Sequence, residues 1–291
     1  MRVVCSIAGS DSSGGAGIQA DLKAISACGA YGATVITAIT AQNTRGVHAA
    51  YELPVDLIEA QLDAVFDDLH PAAVKTGMLS SAGVVQTVAR ALRRRTELPF
   101  VLDPVMIAKS GHALLHPDAV ACLRRDLLPL ATLVTPNRHE AEALTGVSVR
   151  DAATAAAAAR VLLADGCRAV LVKGGHLDTR AATDVLVSAD GVMLFEAPRL
   201  ETPHTHGTGC TLAAAIAAFL AQGASLCDAV QRAKLYVTEA IRAGLALGAG
   251  HGPTDHFFYL RGTDTEAWLQ ALGLRAPSAA TPAASRGERL D

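Results

Sequence analysis

No two cysteines in this 291-residue chain stand at C-x-x-C spacing. The six that are present (Cys5, Cys28, Cys122, Cys167, Cys210 and Cys227) are scattered, which excludes zinc-like spacing and a thiol–disulfide redox pair. Five of them lie in apolar or helical contexts and read as small buried residues, a usage that fits a reducing cytoplasm. Long apolar runs are also missing. The longest, Leu212 to Ala221, is about half of what a bilayer requires. The opening run Val3 to Ala8 is too short for a signal peptide and leads straight into glycine and serine. Neither sign of charge dominates: a net charge of −3 gives no pull toward nucleic acid or membrane. What the chain does have is 51% hydrophobic residues against 18% charged, enough for the core of one large α/β domain or two modest ones.

Short apolar runs alternate with helical patterns along the body of the chain. Val3–Ala8, Gly32–Thr40, Ala73–Thr76, Pro99–Val105, Leu133–Thr135 and Ala169–Lys173 read as buried strands, each brief and closed by turn or polar residues. The stretches Ile18–Cys28, Pro54–Leu69, Ala82–Arg95, Pro117–Leu128 and Ala152–Leu163 read as helices, followed by Leu212–Gln222 and Leu226–Ala246. This alternation predicts a three-layer α/β/α fold with a mostly parallel central sheet covered on both faces. Thr183–Ser188 and Val192–Ala197 flank an Asp190-Gly191 turn and predict an antiparallel hairpin at the sheet edge. No linker divides the body, so residues 1–274 read as one domain and 275–291, rich in Ala, Pro and Ser and then charged, as a disordered tail.

In open α/β sheets, ligands bind outside the carboxyl ends of the strands. The unusual residues gather there: Asp11, Gln42 and Asn43, Met78, Asp103, Asn137 with Glu140, and Lys173-Gly174-Gly175. The loop Gly9 to Gly17 holds four glycines and three serines, more than a tight connection needs, and reads as a ligand-contacting loop. It is not a dinucleotide fingerprint, since it begins late and no acidic residue ends the second strand. It is not a P-loop either, because no Gly-Lys-Ser/Thr follows. Asp21, in the next helix, is either a ligand-side carboxylate or a solvated one favoured by the dipole. Gln42 carries both a donor and an acceptor for a heterocycle edge, or else caps its loop.

Asp103 abruptly ends an apolar strand, and Pro104 argues against its capping a helix, which favours a metal or phosphate role. In Thr135-Pro136-Asn137-x-x-Glu140, Asn137 and Glu140 form a capping box or help hold hydrated magnesium; one conformer of Glu140 does not serve both. Lys173, at a strand end and followed by glycines, suits a nucleotide phosphate or a simple turn. His204, His206, His251 and His256 have no metal spacing and read as orienting or surface residues. The segment His204-Thr205-His206-Gly207-Thr208-Gly209-Cys210-Thr211 carries the most information. Its glycines admit close backbone approach, and the first turn of the helix behind it offers unpaired N–H groups to an anion. It also sets the Cys210 thiol where a helix dipole lowers thiol pKa.

With these motifs in this order, residues 1–262 resemble the ribokinase-like superfamily, and within it the hydroxymethylpyrimidine/phosphomethylpyrimidine kinases of thiamin biosynthesis. The carriers are Ala8 to Lys23, Thr37 to Thr44, Lys75 to Leu79, Leu102 to Met106, Thr135 to Asn137, Lys173 to His176, Thr205 to Thr211, and Gly250 to Pro253 with His256. The resemblance implies ATP and Mg2+ as cofactors, a small pyrimidine as substrate, a homodimer, and no nucleic-acid or membrane partner. It implies phosphorylation of a hydroxymethyl group and then of the monophosphate. It places Gly9, Asp21, Gln42 and Met78 on the pyrimidine, Asp103 and Glu140 at the magnesium, and Lys173 and Thr208 on the nucleotide. Gly207, Thr208, Gly209 and Cys210 become the anion hole; Cys210, standing where related sugar kinases carry an aspartate base, is expected to be deprotonated and to accept the hydroxyl proton or orient it, or else only to pack the substrate. Pyridoxal kinases are the nearest rival, and Gln42 discriminates, since those relatives carry an apolar residue there. A non-catalytic relative is disfavoured by the intact set Asp103, Glu140, Lys173 and Cys210.

Overall fold

The computed structural model describes residues 1–106, 115–176, 181–261 and 265–274. The expected tail, 275–291, lies outside the described residues. One nine-stranded sheet organises the chain, in the order β3-β2-β1-β4-β5-β6-β7-β8-β9. The strands are β1 (Val3–Asp11), β2 (Tyr31–Asn43), β3 (Gly46–Glu52), β4 (Ala73–Thr76), β5 (Phe100–Leu102), β6 (Leu133–Val134), β7 (Ala169–Val172), β8 (Ala181–Ser188) and β9 (Gly191–Pro198). β2, β1, β4, β5, β6 and β7 run parallel, while β3, β8 and β9 are antiparallel to their neighbours. The parallel sheet and the late hairpin are as the sequence predicts. β3 was not foreseen: it is an edge strand whose Gly-Val-His-Ala-Ala-Tyr-Glu run is largely exposed, so it lacks the apolar signature of a buried strand.

The helices are α1 (Gly17–Ala27), α2 (Val55–Leu69), α3 (Ala82–Leu92), α4 (Pro117–Cys122), α5 (Arg138–Thr145), α6 (Ala152–Ala164), α7 (Thr208–Ala221), α8 (Leu226–Arg242) and α9 (Thr265–Ala271). Successive strand residues point to opposite faces, and the sheet divides its core accordingly. Cys5, Ile7, Val74, Leu102, Val134 and Val170 pack with α2 to α6, whereas Val4, Ala73, Val101, Leu133 and Leu171 pack against α1, α7 and α8. Both faces are therefore covered, which explains why the central strands are apolar throughout.

Several boundaries differ from the sequence reading: β1 runs on to Asp11, so Gly9 to Asp11 belong to the strand rather than to the loop, and three others change for local reasons. β5 stops at Leu102, before Asp103-Pro104. α8 ends at Arg242, and Gly244 then turns the chain so that the Leu245 amide donates to the Pro253 carbonyl. α7 begins at Thr208 rather than Leu212, so the glycine–cysteine motif forms the helix's own first turn. Among the described residues no helix is long and apolar enough to cross a membrane.

Candidate active site

A cavity of about 430 Å³ opens over the carboxyl ends of the parallel strands, a size suited to small organic ligands. Its floor and one wall come from the loop between β1 and α1. Asp11 organises that loop: Oδ1 accepts from the Ser13 amide and hydroxyl at 2.8 Å, and Oδ2 from the amides of Gly15 (3.1 Å) and Ala16 (2.7 Å). The same Oδ2 lies 2.9 Å from Nε2 of His206. Burial acts to raise the Asp11 pKa, yet the bonds from His206, Ser13 and Ala16 outweigh it and hold the carboxylate at about 2. Sequence reasoning noted Asp11 only as one strand end among several. His206 is one of the expected orienting histidines, and it is buried rather than on the surface.

Two glycine segments meet here backbone to backbone. Gly207, at φ 77°, caps α7, and a Cβ on it would overlap the carbonyl oxygen of Gly15. A Cβ on Gly15 would in turn strike the imidazole of His206. Glycine is thus required for close approach at both positions, and at Gly207 also for its left-handed conformation. By helix geometry the amides of Thr208, Gly209 and Cys210 have no intrahelical acceptor and face the cavity end of α7.

Beside the first turn of α7 the lining carries charges. Lys173, following β7, extends Nζ to 2.8 Å from Asp103 Oδ1 and 3.7 Å from Glu140 Oε2. Nζ also lies only 3.3 Å from where a Cβ on Gly209 would sit, so the ammonium stands against the first turn of α7. Burial disfavours this cation, but Asp103 and Glu140 prevail and keep its pKa above the ordinary lysine value. Glu140 is pushed up to about 7, by burial first and by Asp103 second, against the pull of Lys173. The capping box forms as one of the two expected roles: Glu140 Oε2 accepts from the Asn137 amide at 2.7 Å, and Asn137 Oδ1 accepts from the Glu140 amide at 3.0 Å. Because the capping oxygen itself faces Lys173, capping and a place in the charged wall are compatible in one conformer.

Cys210 lines the cavity from the third position of α7. Deprotonation by the helix terminus is not what the structure gives. Burial pushes the thiol up to about 11, with Asp21 and Asp103 adding to the rise, and outweighs the lowering from Lys75 and from the Gly17 amide. At neutral pH this group is a thiol. The local rule for helix termini omits burial, which sequence alone does not supply.

Gly9, Gln42, Met78, Asp103, Glu140, Lys173 and Gly207 to Cys210 all line the one cavity. Asp21 stands behind the wall instead, fully buried, with both carboxylate oxygens 2.8 Å from Lys75 Nζ and one also 2.6 Å from Ser6 Oγ. Lys75 entered the sequence reading only as the first residue of the Lys75-to-Leu79 motif, with no role of its own; a lysine within the buried run Ala-Val-Lys-Thr was the available signal for one. It also missed a second pair in the cavity wall, Asp184 on β8 and Lys234 on α8, 2.9 Å apart, with Asp184 also accepting from the Gly174 amide at 2.7 Å. Pro198, Leu200, Leu212, Val237 and Ile241 add apolar side chains to the same lining.

Asp103 and Glu140 present hard oxygen donors and would fit a magnesium ion that keeps most of its waters, Glu140 by leaving the capping conformer it adopts in this structure. Among the described residues no cluster of three or more carboxylate, histidine or cysteine ligands occurs, so no dedicated metal cage is present.

A family model described as phosphomethylpyrimidine kinase matches residues 11–255. The chain is 54% identical over 258 residues to a hydroxymethylpyrimidine/phosphomethylpyrimidine kinase of Rhizobium meliloti (strain 1021), covering 88% of this chain and 97% of that one. Among solved structures it is similar to a phosphomethylpyrimidine kinase from Clostridium difficile 630, with a TM-score of 0.74, 45% identity and coverage of 83% and 100% of the two chains. It is also similar to a pyridoxal kinase of Bacillus subtilis in an ADP complex, with a TM-score of 0.82, 39% identity and coverage of 88% and 97%.

Proposed function

The chain belongs to the phosphomethylpyrimidine kinase family, and we propose that it uses ATP to phosphorylate 4-amino-5-hydroxymethyl-2-methylpyrimidine and then its monophosphate, toward thiamin diphosphate. The catalytic unit is one ribokinase-like domain within residues 1–274. The observation that carries this reading is the convergence, in one cavity, of the α7 amides, the Lys173 ammonium, the carboxylates Asp103 and Glu140, and Gln42.

Phosphoryl transfer demands in-line placement and neutralisation of oxygen charge more than covalent catalysis. Gly9, Gln42 and Met78 hold the ring, and Asp21 supports the wall through Lys75 rather than by touching the ring. The apolar side chains of Val237 and Ile241 take the nucleotide base. Between them the amides of Gly207 to Cys210 and the Lys173 ammonium meet the transferring phosphoryl oxygens, fixed donors that need no rearrangement as charge develops. Thr208, at the start of α7, is placed on the nucleotide side. Asp103 and Glu140 hold a hydrated magnesium ion, which when bound neutralises phosphate charge.

Cys210, as a neutral thiol, orients the hydroxyl for in-line attack. In a loose transition state the hydroxyl proton becomes acidic late, so a strong base is not needed beforehand. The test is ADP release measured in parallel with the hydroxymethylpyrimidine, its monophosphate and pyridoxal. Turnover of the first two supports the proposal, and turnover of pyridoxal alone overturns it.

A further inference from the structure

The imidazole of His206 is wedged against Gly15 and holds Nε2 at 2.9 Å from Asp11 Oδ2. A carboxylate accepts only, so this nitrogen carries the proton. The same Nε2 lies 3.3 Å from Nε2 of Gln42, while Gln42 Oε1 lies 3.3 Å from the Thr40 hydroxyl. Two N–H donors facing each other make no bond. Thr40 already donates to the Ser10 carbonyl at 2.9 Å, so its oxygen has a lone pair left to accept. Turning the Gln42 amide by half a rotation removes that donor–donor clash: Oε1 then shares, at the longer distance, the His206 proton that goes chiefly to Asp11, and Nε2 donates to Thr40. The backbone of Gln42 cannot follow, because Ser12 Oγ both donates to its carbonyl (2.7 Å) and accepts from its amide (2.8 Å).

From this geometry we infer that His206, held by Asp11, is a positioning residue that sets which end of the Gln42 amide faces which ring atom, and so determines ring selectivity. With one lone pair and one N–H committed, the amide offers the cavity one acceptor and one donor in a single order. An aminopyrimidine edge presents an exocyclic N–H donor beside a ring-nitrogen acceptor and matches that order. A pyridine ring without the amino group leaves the amide acceptor unpaired inside the wall, and the unpaired polar group is what discriminates. The role of Gln42 toward an aminopyrimidine is taken from the proposed function; the role of His206 is separate from it.

A double-mutant cycle tests the inference. His206→Ala should raise KM for the hydroxymethylpyrimidine about tenfold, with kcat and the KM for ATP changed much less. In a Gln42→Met background the same substitution should change that KM less than about twofold, because the group it orients is gone. His206→Gln, whose amide nitrogen can still donate to both partners, should restore most of the loss and also guards against a folding defect. Equal losses in both backgrounds would show that His206 serves the glycine loop alone and overturn the inference, as would an unchanged KM in His206→Ala. Wild-type turnover is measured first. Its absence with the pyrimidine overturns the substrate proposal, whereas additivity with that turnover intact overturns only the role of His206.

Discussion

Lys75 and Asp21 form an ion pair with no solvent exposure, the ammonium 2.8 Å from each carboxylate oxygen. Burial opposes the Lys75 charge, but Asp21, with a smaller contribution from Asp103, holds it protonated. Removing one partner strands the other charge in the interior. Lys75→Met should therefore lower unfolding free energy by about 3–5 kcal/mol, while the neutral pair Asp21→Asn with Lys75→Met should recover a large part of that. Urea unfolding of the three variants measures it. Equal stability of Lys75→Met and the double variant would refute the coupling.

The Gly207–Gly15 contact predicts a sharp intolerance. Gly207→Ala combines an overlap with the Gly15 carbonyl and a φ of 77°, so the turn must shift out of place. A displacement near 1 Å at such a turn costs about 100-fold in kcat. Steady-state ADP release, with circular dichroism as a check on folding, gives the comparison. Gly146→Ala, where a Cβ meets nothing within 4 Å at a similar φ, should strain its own turn but leave kcat near wild type.

Cys210 should react slowly with alkylating reagents. With its thiol at about 11, the thiolate fraction at pH 8 is roughly 0.1% against about a quarter for an ordinary cysteine. Iodoacetamide labelling followed by peptide mapping should show the rate still climbing above pH 10. Cys210→Ala should lower kcat by about 10- to 100-fold through lost orientation, with the KM for ATP unchanged. A labelling plateau near pH 7 would instead restore the thiolate base.

His256 predicts a window of acid sensitivity. Burial first, then Lys23, depresses its pKa from 6.5 to about 4 while Nε2 sits 3.0 Å from the Thr211 hydroxyl. The unfolded chain binds this proton below pH 6.5 and the folded one only below about 4. Stability is therefore present in full above 6.5 and lost as pH falls through that interval, by about 3 kcal/mol. Glu140, raised to about 7, acts with the opposite sign over an overlapping range, so the measurement is a difference between proteins. Wild type minus His256→Gln, from urea midpoints between pH 7 and 4, should decline with acidity. A flat difference would exclude the assignment.

Much of the site was readable because its local rules survive folding. Thr135-Pro136-Asn137-x-x-Glu140 forms the capping box its spacing announces, and the strand-end rule gathered Gln42, Met78, Asp103 and Lys173 correctly around one cavity. The failures lie where the environment overrides a local tendency. Cys210 has the right helix position for a thiolate but the wrong solvation. Asp21 has the sequence context of a ligand-side carboxylate, yet Lys75, 54 residues away, commits both of its oxygens. His206 and Asp11 are 195 residues apart, and no spacing rule links them.

That separation also sets a timetable. The loop at Gly15 leaves the ribosome early, whereas Gly207, against which it closes, follows at ordinary synthesis rates only after roughly 10–40 s. Until then the nascent chain has neither the first turn of α7 nor the His206 ring that packs against Gly15. Any chain that ends before residue 207 therefore lacks the α7 and α8 part of the cavity lining altogether.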